Sequence, residues 1–439
     1  MARAQGLPRR DFLSYTLGVG AAASWLPASS WARAAGANER VTIGSIGCGG
    51  MGTSHLHNYT ERAAADNCQV SRVCDVYRRR LNNAIGVIGG TESSGTMEYR
   101  EVLDDKSVDA IVIATPDHWH TKIAIEGLEA GKAVFVEKPL ALTVEQAIEC
   151  RNAVRRTGGV LAVGPQRTSD DLFHKAREAI ASNRIGKVTW SQGAYCRNSR
   201  EGQFNWTIDA DASPTAQGDG HVWWDRWLGH EWGLAEKIGW NPDHFFRFRK
   251  YFAYNGGVAT DLLYHLLAPL LLAIEGPNGA YPSRVAASGG RYVEKDARDI
   301  PDQFFMSVDY PGEHTVVLSS VMTNDDTWPT VIRGQWGSME VGDTLRLREQ
   351  GVWSEEFRRA NKDRLSSPGE PGTATLEITR GDSRDHNGNF LASVRGEAKP
   401  SCNVELGCAT MVAIKLAVES YRQNKVMMWD GASERAYAG

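Results

Sequence analysis

Between residues 40 and 166, short apolar runs alternate with amphipathic stretches. ERVTIGSIGCGGMG opens with a β-branched run, and CQVSRVCDVY, DAIVIATP, AVFVEKPL and GVLAVGPQR repeat it, which predicts five strands. Between them TSHLHNYTERAAA, YREVLDDKSV, HTKIAIEGLEAG and TVEQAIECRNAVRRTG place apolar residues at helical spacing. Strands that are apolar throughout, each followed by a helix, specify a parallel doubly wound sheet with both faces covered.

Beyond residue 166 the pattern changes. KVTWSQGAYCR, PSRVAASGGRYVEK, DQFFMSVDYP, EHTVVLSSVMT, TVIRGQWGSMEVGD and TLRLREQG read as strands joined by turns. One long apolar helix, GVATDLLYHLLAPLLLAIEG, interrupts them, and VELGCATMVAIKLAVESYRQNK closes the chain as another. Runs of strands with few helices predict a mostly antiparallel sheet backed by helices. The fold class is therefore α/β: a Rossmann-type doubly wound parallel sheet over 40–166, and an α+β domain with a mostly antiparallel sheet over 167–439.

The first residues follow neither pattern. Arg9 and Arg10 precede a stretch from Phe12 to Asn38 without an acidic residue, and Ala32-Arg33-Ala34 supplies a small-x-small cleavage pattern. This predicts a twin-arginine signal peptide over 1–34, hence the twin-arginine export machinery as a partner and a periplasmic location. No cysteine follows the apolar stretch, so no lipid anchor is expected, and the apolar helix near residue 265 carries Asp261, Tyr264 and His265, which reads as core rather than membrane. A formal net charge of −4 with 23% charged residues argues against a nucleic-acid partner. The seven cysteines include no CxxC pair, so neither a disulfide framework nor a zinc site is expected, and no metal is assigned.

The candidate chemistry starts at Gly47-x-Gly49-x-x-Gly52, between a predicted strand and a predicted helix. The first glycine permits the turn, the second the approach of a pyrophosphate, and the third close packing of helix on strand. The helix start, with Gly50 and Met51 in the loop, offers N–H groups to the phosphates. Asp75 ends the second strand and suits the adenosine ribose hydroxyls, which favours NAD. Arg78, Arg79 and Arg80 follow at once and supply charge for a 2′-phosphate, so NADP stays open, with Arg79 expected at the cofactor.

VEKPL, ATPDHWH at 114–120, VGPQR at 163–167, WDRWLG at 224–229 and GGVATDLLYH at 256–265 resemble the glucose–fructose oxidoreductase/inositol dehydrogenase (Gfo/Idh/MocA) family. The C-terminal HNGNFLASVRGEAKPSCNVELG and VMMWD resemble its exported branch. The resemblance implies that Lys138 is the catalytic lysine and that Glu137 contacts the nicotinamide ribose. It places Thr115, Pro116, His120 and Gln166 at the cofactor, and Asp261 and His265 facing the nicotinamide from the second domain. It also implies a dimer or tetramer. Independently, Asp261 and His265 stand four apart on a helix and so share a face. A histidine suits proton abstraction from a sugar hydroxyl, with Lys138 relaying the proton. Arg167, Trp224, Arg247 and Tyr251 are expected, with Lys138, Asp261 and His265, to bind the substrate. The aromatic cluster over 223–254 reads equally as a packed subdomain or oligomer surface and as a wall whose ring faces suit the C–H faces of sugars.

An exported protein has no NAD pool to exchange with. The expected activity is therefore an NAD(P)-dependent oxidoreductase acting on a secondary hydroxyl of a sugar or glycoside, with a tightly held cofactor and redox-neutral turnover. The alternative is an NAD-dependent glycosidase working by transient oxidation, elimination and hydration. A third reading, weaker than both, is a non-catalytic NAD-bound sugar-binding protein.

Overall fold

The apolar runs of the first half form a six-stranded parallel sheet in the computed structural model, which describes residues 40–365 and 369–439. The predicted signal peptide lies outside the described residues. The elements run β1 Val41–Ile46, α1 Gly50–Glu61, β2 Cys68–Cys74, α2 Arg78–Val87, β3 Gly95–Thr96, α3 Tyr99–Asp104, β4 Ala110–Ile113, α4 Asp117–Glu129, β5 Ala133–Val136, α5 Val144–Thr157 and β6 Leu161–Val163. The strand order is β3-β2-β1-β4-β5-β6. Connections leave β1 toward β2 on one side and reach β4 on the other, so a crevice opens where the order reverses. Ile46 pairs with Ile113 and Ile113 with Val136. Gly47, Ala114 and Glu137, the next residues along, therefore meet at one edge of the sheet.

Helix α2 carries Arg78, Arg79 and Arg80, in a stretch for which the sequence pattern predicts no element. Its polar composition hides it, because Leu81 and Ala84 are its only buried residues.

The second half continues with α6 Asp171–Ala181, β7 Val188–Cys196, short helices α7 Trp224–Leu228 and α8 Pro242–Phe246, and α9 Tyr264–Ile274. Then come β8 Arg284–Gly290, β9 Gln303–Tyr310, β10 His314–Val321, β11 Thr330–Gly334, β12 Gly337–Val341, β13 Leu345–Glu349, α10 Ser354–Ala360 and β14 Thr375–Ile378. The chain ends with α11 His386–Val394, α12 Val404–Gln423, β15 Met427–Asp430 and β16 Arg435–Ala438. The ten strands form one sheet, ordered β14-β13-β12-β11-β7-β10-β9-β8-β15-β16. Among the described residues only β7 and β10 pair in parallel in this sheet, and β9 and β13 alternate buried and outward residues, as a sheet with one covered face requires.

A single apolar core runs from Val134 and Val163 through the buried face of α9 to Leu318 and to Met411 on α12. Helix α11 returns to the first sheet, where Phe390 and Leu391 pack with Phe135 and Tyr59. The first sheet thus draws part of its cover from far outside residues 40–166. No helix among the described residues is long and apolar enough to cross a membrane.

Between β7 and α9, the chain leaves the second sheet and lies along the crevice of the first. Its attachment is backbone to backbone: Trp223 N–H donates to Val76 O (2.8 Å) and Arg78 N–H to His221 O (3.0 Å). The Tyr77 hydroxyl adds a bond to Asp209 at 2.7 Å.

Candidate active site

The crevice holds a cavity of about 490 Å³ whose one wall is the edge of the first sheet. Gly47 has φ +88°, and a Cβ there would lie 2.7 Å from the Ala114 carbonyl. At Gly52 a Cβ would sit 1.9 Å from Gly47 O. These two glycines let α1 start directly against β1 and β4. Gly49 and Gly50 differ, since a Cβ at Gly49 would meet only Arg80, at 3.7 Å, and one at Gly50 nothing within 4 Å. The loop is tight behind and open in front, and the first N–H groups of α1 have no intrahelical partner. Gly47, Gly49, Gly50 and Met51 line the cavity, and so does Asp75. Asp75 receives the Cys48 N–H (2.7 Å) on one oxygen and the Tyr77 N–H (2.8 Å) on the other. Burial raises its carboxyl, opposed by Arg80. Each oxygen keeps a lone pair for a ribose hydroxyl. A backbone cradle, free helix N–H groups and an acid at the end of β2 fit a dinucleotide.

At the other end of the cavity stand Thr115, Pro116, His120, Glu137 and Lys138. His120 bridges the loops, with Nδ1 2.6 Å from Pro139 O and Nε2 2.8 Å from Thr115 O. The Lys138–Pro139 bond is cis. Glu137 Oε1 receives His55 Nε2 at 2.8 Å, while its Oε2 accepts the Lys138 N–H at 3.1 Å. Burial alone would raise the Glu137 carboxyl, but the His55 bond and the His55 and Lys138 charges hold it at about 2. It is an acceptor fixed in place.

Lys138 Nζ reaches across to the second half, where it donates to Asp261 Oδ1 (2.8 Å) and to the Asp261 carbonyl (3.0 Å). Asp261 lies within a π turn over residues 259–263 ahead of α9. Such turns displace the helical hydrogen-bond ladder and recur at functional sites. Arg249 Nε lies 2.9 Å from the same Asp261 oxygen, an ion-pair contact whose N–H is not aligned for a hydrogen bond. Against the cost of burial, Arg249 and then Lys138 hold the Asp261 carboxyl far below its usual range. His265, one helical turn on, is pushed down to about 3 by burial and by Lys138. It is neutral at physiological pH, and burial beside Lys138 disfavours its protonation in the free protein. Its ring lies 6.1 Å from that of Tyr195.

Several expected residues lie elsewhere. Arg79 turns away from the cavity and pairs with Asp211 (2.5 Å) and Asp209 (3.1 Å). Arg80 lines the cavity in its place, its guanidinium 5.1 Å from the Phe245 ring centre. Trp224 is consumed by packing: it stacks on Trp227 at 4.9 Å, and its indole N–H donates to Ile238 O. Arg247 is spent on Trp206 O and Asp243, and the Tyr251 hydroxyl on Asp243. Gln166 is exposed and outside the cavity wall. Arg167 also lies outside that wall, 5.0 Å over the Phe173 ring. The aromatic wall is instead made by Trp206, Trp227, Phe245, Phe246 and Phe248, with Arg226 and Arg249. Sequence reasoning also passed over Asp117, which is buried on the wall beside Pro116. Its position inside ATPDHWH was a usable signal, since a charged residue opened a helix that is otherwise buried there.

A glycine-cradled dinucleotide cleft with a buried Lys–Asp pair at its far end defines a nicotinamide-dependent oxidoreductase architecture. Residues 41–165 match the family described as the oxidoreductase family, NAD-binding Rossmann fold (GFO_IDH_MocA), so this NAD-binding domain belongs to the Gfo/Idh/MocA family. Curated relatives include glycosyl hydrolase family 109 protein 1 of Shewanella sp. (strain ANA-3) and an alpha-N-acetylgalactosaminidase of Shewanella oneidensis. Each is 32% identical over 126 residues, which are 27% of this chain and 27% of the relative. The match thus spans about a quarter of the length of those relatives. Among solved structures, an oxidoreductase domain protein from Kribbella flavida has a TM-score of 0.64 at 17% identity, covering 89% of this chain and 99% of that one. The WlbA dehydrogenase of Chromobactrium violaceum, in complex with NADH and UDP-GlcNAcA, has a TM-score of 0.62 at 18% identity, covering 90% and 97%. These likenesses establish that the fold extends over both sheets.

Proposed function

We propose that this protein is an exported, NAD-dependent enzyme that oxidises a secondary hydroxyl of a sugar or glycoside and restores its cofactor within the same turnover. The observation that carries this reading is the buried Lys138–Asp261 pair, bonded at 2.8 Å, with neutral His265 one turn away, at the end of a dinucleotide cleft. In this reading Lys138 and His265 relay the proton of the substrate hydroxyl, Asp261 fixes the lysine, and Glu137 orients the nicotinamide ribose. When bound, the nicotinamide accepts the hydride from the substrate carbon and can return it. Gly47 to Gly52 and Asp75 hold the nucleotide. The Asp75 carboxyl favours NAD, although Arg80 supplies a cation at that end.

Retention of the nucleotide is supported by the segment over the crevice, whose backbone is bonded to Val76 and Arg78 at the adenosine end. Export by the twin-arginine route is supported by Arg9-Arg10 and the run after them. It accounts for retention, since a protein translocated in folded form carries its nucleotide along. Self-association is supported by Trp190 and Phe305, which the second sheet leaves exposed.

One observation favours the glycosidase version of this chemistry: the family 109 hydrolases of Shewanella are among the curated relatives of the NAD-binding domain. In that version the ketone formed by oxidation acidifies the neighbouring C–H, the aglycone leaves, water adds and the hydride returns. An NMR assay in D₂O with alkyl and aryl glycosides separates the two. Free sugar carrying deuterium beside the oxidised carbon supports elimination and hydration. An intact glycoside bearing a ketone, or a reduced second sugar, supports the oxidoreductase. No change across the panel would overturn the carbohydrate assignment.

A further inference from the structure

If the cofactor stays bound, the site must also keep the proton that leaves the substrate with each hydride. Lys138 and Asp261 are both buried, and Asp261 is already committed to Lys138 and Arg249. Asp117, however, has spare capacity. Its Oδ2 accepts one hydrogen bond, from Asn255 Nδ2 at 2.6 Å. The orientation of that amide is fixed, because Asn255 Oδ1 receives the Gly257 N–H at 2.7 Å. Asp117 Oδ1 has no hydrogen-bond partner among the described residues, and the side chain lines the same cavity as Lys138 and Arg249.

We propose that Asp117 is the resident proton store of this site, holding the substrate proton while the hydride is on the cofactor and giving it back when the hydride returns. The balance is simple. The substrate O–H and C–H bonds break and a carbonyl forms. The hydride takes both electrons to the nicotinamide, and the proton forms an O–H bond on the Asp117 carboxylate. A cation and a carboxylate become two neutral groups together, so the net charge of the buried site is the same in both states. Moving charge in pairs avoids the cost of leaving one ion unpaired in a low-dielectric interior. This rests on the reading that NAD is retained.

The groups facing Asp117 set its balance. Burial raises its carboxyl to about 7, against the pull of Arg249 and Lys138, with Asp261 adding repulsion. Lys415 approaches it electrostatically from α12, and His118 and His120 follow it on α4. In the free protein the store is therefore poised between its two forms near neutrality.

Calorimetric titration of the full-length protein with NAD⁺ and with NADH, in two buffers of different ionisation enthalpy, counts the protons exchanged without any turnover. Near neutrality, NAD⁺ is expected to expel about half a proton as it binds, because its positive ring favours the carboxylate in a store that is about half protonated there, and NADH none. The affinity for NAD⁺ relative to NADH should rise severalfold between about pH 5.5 and 8. In Asp117→Asn the difference between the two nucleotides should vanish while both still bind. Asn255→Ala removes the bond to the carboxylate and should move the midpoint to higher pH, so a poorly folding Asp117→Asn leaves the idea testable. Equal proton counts for NAD⁺ and NADH at every pH, or an Asp117→Asn variant that still expels the proton, would overturn the store. Failure of either nucleotide to bind would overturn the cofactor reading as well.

Discussion

The two walls of the cleft are built on opposite principles. The wall from the first sheet is mostly backbone: Gly47 to Gly52, Ala114 to Pro116 and the turn at Lys138. Its shape is set by what cannot be there, since a Cβ at Gly52 would fall 1.9 Å from Gly47 O. The facing wall, from the segment between β7 and α9, is mostly rings, and its shape is set by how they stack. Trp224 lies against Trp227, Tyr77 meets Phe245 edge-on at 5.8 Å, and Arg80 caps Phe245 and Phe246. A backbone wall loses its shape through any added atom, whereas a stacked wall gives way by degrees as rings are removed. The chemistry falls where they meet, at Lys138 from one and Asp261 with Arg249 from the other.

The comparison can be broken most severely at that seam. Lys138→Ala should lower turnover by about 10²–10⁴-fold, the usual contribution of an acid–base group, while nucleotide binding persists. Steady-state rates together with a binding titration check this, and unchanged turnover would sink the assignment. The backbone wall comes next. Gly52→Ala should weaken nucleotide binding by more than tenfold and cost about 1–3 kcal/mol of stability, as overpacking does. Thermal melts with and without NAD separate the two effects. On the ring wall the effects are smaller and selective. Arg80→Ala should weaken NAD binding by about tenfold, the loss of one charge-assisted contact. Arg79→Ala, whose partners are Asp209 and Asp211, should leave binding within about threefold, since exposed pairs contribute little. A larger loss from Arg79→Ala than from Arg80→Ala would show that α2 presents the other arginine.

The smallest effect tests the charge under the seam. The Asp117 carboxyl is raised from 3.8 to about 7, so the folded chain binds that proton more tightly than the unfolded chain. The stability this provides is complete below pH 3.8 and is lost as pH rises through about 7. Asp117→Asn has no such titration. Its Tm should match the wild type below about pH 4 and exceed it progressively as pH rises to about 7, by about 2–4 °C for each kcal/mol. A Tm difference that does not change with pH would contradict the burial of an ionising group there.

The same contrast explains what was legible in the sequence. Gly47, Gly49 and Gly52 could be read because their roles are backbone roles, fixed by spacing and by the strand and helix around them. Lys138, Asp261 and His265 were legible through motif resemblance, and the four-residue spacing put the last two on one face. The residues of the ring wall were not. Arg79 and Arg80 are adjacent in the first turn of α2, so they point about 100° apart and only one can face the cleft. Without the helix start at Arg78, nothing separated them. Arg247 and Arg249 pose the same problem in a short 3₁₀ turn, and a local ion pair with Asp243, four residues back, claimed Arg247. Trp224 and Tyr251 were plausible ring donors by composition, yet burial decided against them. The π turn at 259–263 has no signature in GGVATDLLYH, although it contains Asp261, whose carbonyl Lys138 uses.

The central claim is that hydride and nucleotide both stay in the cleft throughout turnover. The most direct test is to express the protein without adding nucleotide, purify it through extensive dialysis, denature it, and quantify released NAD(H) by mass spectrometry. The account predicts close to one NAD(H) per chain, with no free reduced nicotinamide accumulating as a glycoside is converted. A nucleotide-free protein that forms product only with added NAD⁺, and releases one NADH per product, would contradict it.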